Sequence, residues 1–319
     1  MKVDNTMLSA FERCPLYYRE RHILDWTSRG TSGALGAGGA IHEGLKVWYQ
    51  NMKDAGGAAT GLVGAVNAIR ESWPEDMPTN DFRTLERAQR MMIEYIRTYP
   101  SESFRILQVE IPFKFELGRV ILWCKNCNFE NTPYGALGIP RFGCSYCGKD
   151  LEQIEYGGIF DTLTEFGVGR TVNYILEHKT TSQLGPTYFR QWQIHNQLVG
   201  YCWGAEQVSG KLVGGVNMNV LCMTTGGNFK FDRQMIPVYP SQIEEWKNDV
   251  AQACNDIAHA QRTGHWRKRT DNCVMKYGAC QFLSVHMLAD PEDRQRRLET
   301  DYIKSEWNFE RRDEEVTSE

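Results

Sequence analysis

Two neighbouring apolar segments carry charged residues at matched positions, and this pattern constrains the fold more than any other feature. The first segment contains Asp161, and the second contains Glu177 and, two residues later, Lys179. The glycine-rich segment 167–170 between them predicts a hairpin turn. Alternate residues of a strand point to the same face. Glu177 and Lys179 should therefore project together, with Asp161 nearly opposite Glu177.

Two carboxylates and an ammonium group at one spot suit metal-assisted cleavage of a phosphodiester. Carboxylate oxygens are the ligands that Mg²⁺ prefers. A lysine beside them can orient the attacking water or help to deprotonate it. This pattern predicts Asp161, Glu177 and Lys179 as catalytic residues, with the two carboxylates holding the cation.

The composition narrows the classes of protein that remain. The chain has 319 residues, of which 41% are hydrophobic, so one elaborated domain or two modules can form. Its formal net charge of −4 excludes a uniformly basic nucleic-acid binder, and any DNA contact must come from local patches. The sequence has no long apolar run and no apolar stretch at its start, which predicts neither a membrane span nor a secretory signal. We therefore expect a cytoplasmic protein without a membrane partner.

Four of the ten cysteines have the spacing of a structural zinc site. They form two Cys-x2-Cys pairs, separated by sixteen residues. Four thiolates leave no open coordination position, which argues against a catalytic zinc. Two disulfides are the alternative, but without a secretory signal an oxidising compartment is not expected. The four residues are Cys124, Cys127, Cys144 and Cys147.

Hydrophobic periodicity predicts a helical first third, followed by alternating strands and helices. The glycine-rich segment 30–39 is expected to be a flexible lead-in, and the charged segment 301–319 a frayed tail. The predicted helices cover residues 7–22, 40–53, 56–72, 82–99, 187–208 and 241–261. The predicted strands cover residues 104–115, 156–166, 171–179, 212–223 and 228–237.

Three polar residues on predicted helices leave two interpretations open. A lone histidine such as His42 is more often packed or exposed than a ligand, although imidazole suits Mn²⁺ in a mixed set of nitrogen and oxygen ligands. Gln197 and Tyr201 are four residues apart and share one helix face. Taken alone, that face favours ordinary packing of a partly polar helix on a sheet.

The order of these motifs resembles that of the PD-(D/E)XK nuclease superfamily, and more narrowly its RecB-like and Cas4-like branch in bacteria and phages. The resemblance spans residues 42–201 and implies an α/β fold with a central mixed sheet flanked by helices. It implies that Asp161 and Glu177 bind Mg²⁺ or Mn²⁺, that His42 is a further ligand, and that Lys179 assists the water. Glu110 is a further candidate ligand, and Gln197 and Tyr201 would line the site and touch DNA.

The resemblance also suggests a role for the scattered cysteines. Many members hold an iron–sulfur cluster with one cysteine near the N-terminus and three near the C-terminus. Here Cys14, Cys273 and Cys280 fit in part, and His286 stands where the last cysteine is expected. Histidine ligates iron in some clusters, and three cysteines with one histidine are also a zinc set. The four residues are therefore candidates for a [4Fe–4S] cluster or a second zinc.

The predicted domain organisation follows the chain in order. Residues 1–103 form the helical N-terminal part of the nuclease domain, 104–262 its core, 119–150 a zinc-ribbon insertion, 263–295 a Cys/His segment, and 296–319 a charged tail.

We expect a metal-dependent DNA nuclease, namely an exonuclease that prefers single strands and hydrolyses phosphodiesters with metal-activated water in DNA recombination, repair or phage replication. The implied setting is the cytoplasm of a bacterial or phage-infected cell, and DNA that is single-stranded or has free ends is the implied partner. One alternative is a Cas4-like endonuclease that trims DNA ends. The other is a non-catalytic DNA-binding or assembly module with a relic nuclease fold.

Overall fold

A computed structural model describes residues 1–30, 32–54, 58–135, 141–275 and 278–308. The chain divides into two compact units, each assembled from separated stretches. The first unit comprises Met1–Arg29, Lys114–Gly158 and Glu244–Glu319, and the second comprises Gly30–Phe113 and Ile159–Ile243. The domain boundaries predicted from the sequence followed the chain in order, and they stay a prediction. Within the described ranges no helix has the length and apolar character needed to cross a membrane.

Helices and strands alternate along most of the chain. The helices are α1 (Asn5–Arg13), α2 (Pro15–Tyr18), α3 (Gly33–Lys53), α4 (Ala58–Glu71), α5 (Leu85–Thr98), α6 (Asn196–Ser209), α7 (Pro240–Thr263), α8 (Leu283–His286) and α9 (Pro291–Asp301). The strands are β1 (Lys2–Val3), β2 (Trp26–Ser28), β3 (Arg105–Val120), β4 (Gln153–Phe166), β5 (Val172–Thr181), β6 (Val213–Met223), β7 (Phe229–Pro237), β8 (Val274–Met275), β9 (Gly278–Ala279) and β10 (Tyr302–Lys304).

A six-stranded mixed sheet is the centre of the architecture. Its order is β1-β4-β5-β6-β7, with β3 paired to β4. Strands β5 and β6 run parallel, whereas β4 with β5 and β6 with β7 are antiparallel. In the second unit α3, α4 and α5 pack on the sheet face that carries Leu176 and Leu221. This confirms the predicted α/β class with a central mixed sheet flanked by helices.

The hairpin predicted at the middle of the chain is formed by β4 and β5. Its register runs from the pair Phe166 and Val172 to the pair Thr162 and Leu176. Asp161 and Glu177 are the residues next to that last pair.

The expectation of a flexible glycine-rich lead-in before α3 was wrong. The helix begins at Gly33 and therefore includes most of that segment. Glycine costs about 1 kcal/mol relative to alanine in a helix, but it also lets helices approach closely. A Cβ atom on Gly44 of the same helix would lie 2.7 Å from Ile69 Cγ1 and 3.0 Å from the carbonyl oxygen of Ala65. Within the part of α3 that was predicted as helix, glycine thus lets α3 approach α4 closely.

The predicted helix over residues 7–22 is interrupted. Helix α1 ends at Arg13 because Cys14 adopts an extended conformation, with φ −167° and ψ 113°. A residue before proline is disfavoured in the helical region, and Pro15 follows. Helix α2 and a π-helical turn at Arg19–Ile23 continue the segment.

The charged C-terminal segment is partly ordered, contrary to expectation. Strand β10 pairs antiparallel with β2, and Tyr302 is buried in a small core with Phe282 and Leu298. The remainder of the predicted tail, 309–319, lies outside the described residues.

Candidate active site

The two acidic residues of the hairpin lie side by side in the interior of the second unit. Asp161 on β4 and Glu177 on β5 are each only 1% exposed. Burying a carboxylate is costly unless a cation or hydrogen-bond donors compensate it. One compensating donor is the backbone N–H of His178, which donates to Asp161 Oδ2 at 2.7 Å.

A chain of hydrogen bonds links Glu177 to α6. Lys179 Nζ donates to Glu177 Oε1 at 2.7 Å and to Gln197 Oε1 at 3.1 Å. Gln197 Nε2 in turn donates to the Tyr201 hydroxyl at 3.0 Å. The polar stripe on this helix therefore faces the carboxylates, which answers the question that the sequence left open. What Gln197 and Tyr201 do to DNA stays a prediction.

The helix carrying this stripe begins later than predicted. Residues Tyr188–Trp192 form a 3-10 turn, and α6 starts only at Asn196. His195 caps the N-terminus of α6 in an extended conformation, and its Nδ1 accepts the N–H of Gln197 at 3.2 Å. Burial, and after it the Lys179 charge, lower the pKa of His195, which keeps the imidazole neutral and able to accept. The Trp192 ring centroid lies 5.2 Å from Lys179 Nζ, a contact that the sequence analysis missed.

His42 approaches the site from α3. Its Nδ1 lies 3.4 Å from Asp161 Oδ1, and its side chain is 22% exposed. The imidazole is thus neither fully packed nor remote from the carboxylates. Two buried carboxylates and an imidazole form a donor set that fits Mn²⁺ or Mg²⁺.

Glu110 has an unusual backbone conformation on β3. Its φ is 51°, in the left-handed region that residues other than glycine seldom adopt. Such a conformation costs on the order of 1–3 kcal/mol and occurs most often at functional sites. The strict alternation predicted for this strand is therefore broken at Glu110. Its role as a metal ligand stays a prediction.

His178 and its partners were not singled out from the sequence. His178 is 3% exposed, and its Nδ1 lies 2.7 Å from Asn219 Nδ2. Asn219 is fully buried on β6, a strand that is otherwise mostly apolar. A polar residue within such a strand was the available signal, because buried polar groups need partners.

The four spaced cysteines converge in the first unit. Their sulfur atoms all lie within 4.8 Å of one another. The Sγ–Sγ distances are 3.7 Å for Cys124 and Cys147 and 3.6 Å for Cys127 and Cys144. A tetrahedron with Zn–S bonds of about 2.3 Å has edges of about 3.8 Å. The arrangement thus fits one tetrahedral ion.

The two halves of this cluster share one local geometry. Asn128 and Gly148 each follow the second cysteine of a pair, and both have positive φ, 58° and 74°. Their N–H groups donate to the carbonyl oxygens of Cys124 and Cys144, both at 2.9 Å. Burial acts to raise the pKa of Cys144, but the N–H groups directed at its sulfur prevail and lower the pKa to about 6. Cys144 therefore favours the thiolate, whereas burial and hydrogen bonds with the other cysteines raise the pKa of Cys127 to about 12.

The second predicted cysteine set is not assembled in the same way. All four of its members lie in the described ranges, but Cys14, Cys273, Cys280 and His286 do not form a metal-binding group there as the other four cysteines do. Cys14 Sγ instead faces the carbonyl oxygen of Arg267 at 3.9 Å, and His286 Nε2 lies 3.9 Å from Glu20 Oε1. The side chains as placed do not fit a shared metal centre, so a cluster or zinc there stays a prediction.

Comparison with known proteins identifies the family. A family model of the PD-(D/E)XK nuclease superfamily matches residues 5–285. The chain belongs to this superfamily. Its relation to the RecB-like and Cas4-like branch stays a prediction.

Other comparisons add little about function. A search of curated proteins found no match. Among solved structures, a "putative exonuclease" from Eubacterium rectale is similar over 90% of this chain and 88% of its own, with 12% identity and a TM-score of 0.45. A likeness at this level carries no argument about activity. The function of this PD-(D/E)XK protein is therefore inferred from the arrangement of its own residues.

Proposed function

We propose that this PD-(D/E)XK protein is a metal-dependent deoxyribonuclease that degrades single-stranded DNA from its ends. The observation that carries the proposal is the convergence of His42, Asp161, Glu177 and Lys179, with both carboxylates 1% exposed. A relic fold would have no reason to keep two buried carboxylates beside one another, because each costs free energy in the interior.

His42, Asp161 and Glu177 would hold the divalent cation. When bound, the cation would stabilise charge on the phosphate and lower the pKa of a water molecule. The ligand set contains no thiolate, and hard oxygen ligands favour Mg²⁺ and Mn²⁺ over softer ions.

Lys179 has the position to act on the phosphate or on the attacking water. Its contacts with Glu177 and Gln197 hold the ammonium at the edge of the carboxylate pair. An ammonium fixed in a partly buried site can stabilise developing negative charge without reorganising. Gln197 and Tyr201 extend the polar surface along α6, where they can contact a DNA strand.

The cysteine cluster is proposed to hold one structural zinc ion. Support comes from sulfur–sulfur distances near those of a tetrahedral Zn–S₄ site and from the lowered pKa of Cys144.

A cleavage assay on linear and circular single-stranded DNA tests the proposed activity. With Mg²⁺ or Mn²⁺ the wild-type protein should shorten the linear strand and leave the circular DNA intact. In EDTA it should cleave neither substrate. Asp161→Asn and Glu177→Gln should remove the activity while the circular dichroism spectrum is kept. Glu94→Gln, on the exposed side of α5, is the matched control and should cleave normally. Wild-type activity in Asp161→Asn would contradict the proposal, and cutting of the circle would make the enzyme an endonuclease.

A further inference from the structure

Three residues on adjacent strands form a row directly behind the carboxylates. His178 on β5 pairs with Asn219 on β6, and Asn219 pairs with Arg233 on β7. Directly paired residues project to the same face of a sheet, so the three side chains lie side by side. This cross-strand row lies on the face opposite Glu177 and Lys179, since neighbouring residues of a strand alternate.

The backbone of His178, the first residue of the row, contacts the active site directly. The N–H of His178 donates to Asp161 Oδ2 at 2.7 Å, while the neighbouring residues are Glu177 and Lys179. Any shift of β5 at His178 therefore moves the donor that orients Asp161. The imidazole itself stacks on Tyr49, with ring centroids 5.1 Å apart.

Arg233 determines the orientation of the Asn219 side-chain amide. Arg233 Nε donates to Asn219 Oδ1 at 3.0 Å, and a guanidinium has no acceptor. The amide oxygen of Asn219 must therefore face Arg233, and its NH2 group must face the other way. That group donates to the Tyr95 hydroxyl at 2.9 Å and to His178 Nδ1 at 2.7 Å.

This orientation determines where the proton of His178 resides. Since Nδ1 accepts a hydrogen bond from Asn219, it carries no proton. The neutral imidazole must then be protonated at Nε2. A hydrogen-bond chain of fixed polarity thus runs from Arg233 through Asn219 to the residue between the two catalytic positions of β5.

The far end of the row is anchored firmly. Arg233 makes two hydrogen bonds with the Glu102 carboxylate, at 2.6 and 2.8 Å, and its guanidinium carbon lies 3.7 Å from the centroid of the Tyr99 ring. Bidentate charged pairs are among the strongest hydrogen-bonded contacts. Burial acts to lower the pKa of Arg233, but the hydrogen bonds to Glu102 together with the charges of Tyr95, Tyr49 and Glu102 outweigh it, and the pKa is raised.

We propose that His178, Asn219 and Arg233 are positioning residues that hold the metal-binding carboxylates in register. The inference rests on the proposed function, since it concerns the same site. Outer hydrogen-bond partners of metal ligands typically contribute about 10–100-fold to metal affinity or activity. If the row served stability alone, its disruption would lower the thermal midpoint of unfolding without changing the cation concentration that cleavage requires.

Asn219→Asp is the sharpest test because it keeps the shape of the side chain and removes the NH2 group. The carboxylate still accepts from Arg233, but it can no longer donate to His178. Nitrogen NMR of the histidines in metal-free protein should report a proton on Nε2 of His178 in the wild type and on Nδ1 in the variant. The Mn²⁺ concentration giving half-maximal cleavage should rise about 10-fold or more, with kcat lowered and KM for DNA nearly unchanged.

Asn217→Asp is the matched control. Asn217 lies two residues earlier on the same face of β6, is 6% exposed, and pairs with Leu176 and Met235. Its substitution should lower the thermal midpoint and leave the cation requirement unchanged. If Asn219→Asp fails to fold, His178→Phe replaces it, because the ring can still stack on Tyr49 but cannot accept from Asn219.

The outcomes separate this inference from the proposed function. A wild-type protein that never cleaves DNA would remove the proposed function, and the positioning role with it, while the NMR result would still report the polarity of the row. An active wild type whose Asn219→Asp and His178→Phe variants need no more Mn²⁺ than Asn217→Asp would overturn the positioning role alone.

Discussion

At the scale of single residues, His42 has the most testable position. Its Nδ1 lies 3.4 Å from Asp161 Oδ1. This distance fits either a direct contact between the two side chains or a cation bound by both. A packed histidine would contribute mainly to stability, whereas a ligand would contribute mainly to metal affinity. The partial exposure of the ring favours the ligand, because a purely structural imidazole in a core needs no open face.

We expect His42→Ala to raise the Mn²⁺ concentration for half-maximal cleavage by roughly 10-fold or more, since even outer partners of ligands have effects of that order. A cation titration of the cleavage rate measures this, and His259→Ala on the exposed side of α7 is the control. An unchanged titration combined with a lower thermal midpoint would assign His42 to the core.

The residues of the site differ in how far the sequence could predict them. Asp161, Glu177 and Lys179 lie on two strands joined by a short turn, so period-two alternation was enough to bring them together. Helical spacing placed Gln197 and Tyr201 on one helix face, and the family resemblance placed that face at the site. The cross-strand row depends on the order of β5, β6 and β7 and on their register, and no local pattern encodes either.

At the scale of elements, the sequence predicted the strands of the second unit within a few residues. The errors lie at the starts of two helices, α3 and α6. Helix α3 begins at Gly33 rather than at the predicted Ala40, although glycine has a low helix propensity. The start of α6 was misplaced because His195 caps the helix with its ring nitrogen, a role usually taken by serine, threonine, asparagine or aspartate. The error at α6 concerns a side-chain contact that hydrophobic periodicity does not report.

Two glycines of α3 offer a matched test of how closely this helix packs on α4 and α5. Gly39→Ala places its Cβ in open space, while Gly44→Ala places it within 3.0 Å of three atoms of α4 and α5. Both substitutions gain the same helix propensity, about 1 kcal/mol, so that term cancels between them. Overpacking should leave Gly44→Ala less stable than Gly39→Ala by about 1–3 kcal/mol. Thermal melting followed by circular dichroism compares them, and coinciding curves would refute the close approach.

At the scale of the whole molecule, the chain combines two donor sets of opposite chemical character. The second unit offers carboxylate oxygens and an imidazole, and the first offers four sulfur atoms within 4.8 Å of one another. Hard oxygen sites exchange Mg²⁺ and Mn²⁺ readily, whereas four thiolates hold zinc tightly.

The two sets should therefore respond differently to chelation. Brief treatment with EDTA should abolish cleavage, and added Mg²⁺ or Mn²⁺ should restore it. Metal analysis should still find about one zinc per chain, because a site of four cysteines is closed and structural. Cys144→Ser should lower the zinc content and expose 121–152 to limited proteolysis, whereas Cys202→Ala, at a buried thiol of α6, should retain the zinc. Full zinc content in Cys144→Ser would show that the ion binds elsewhere.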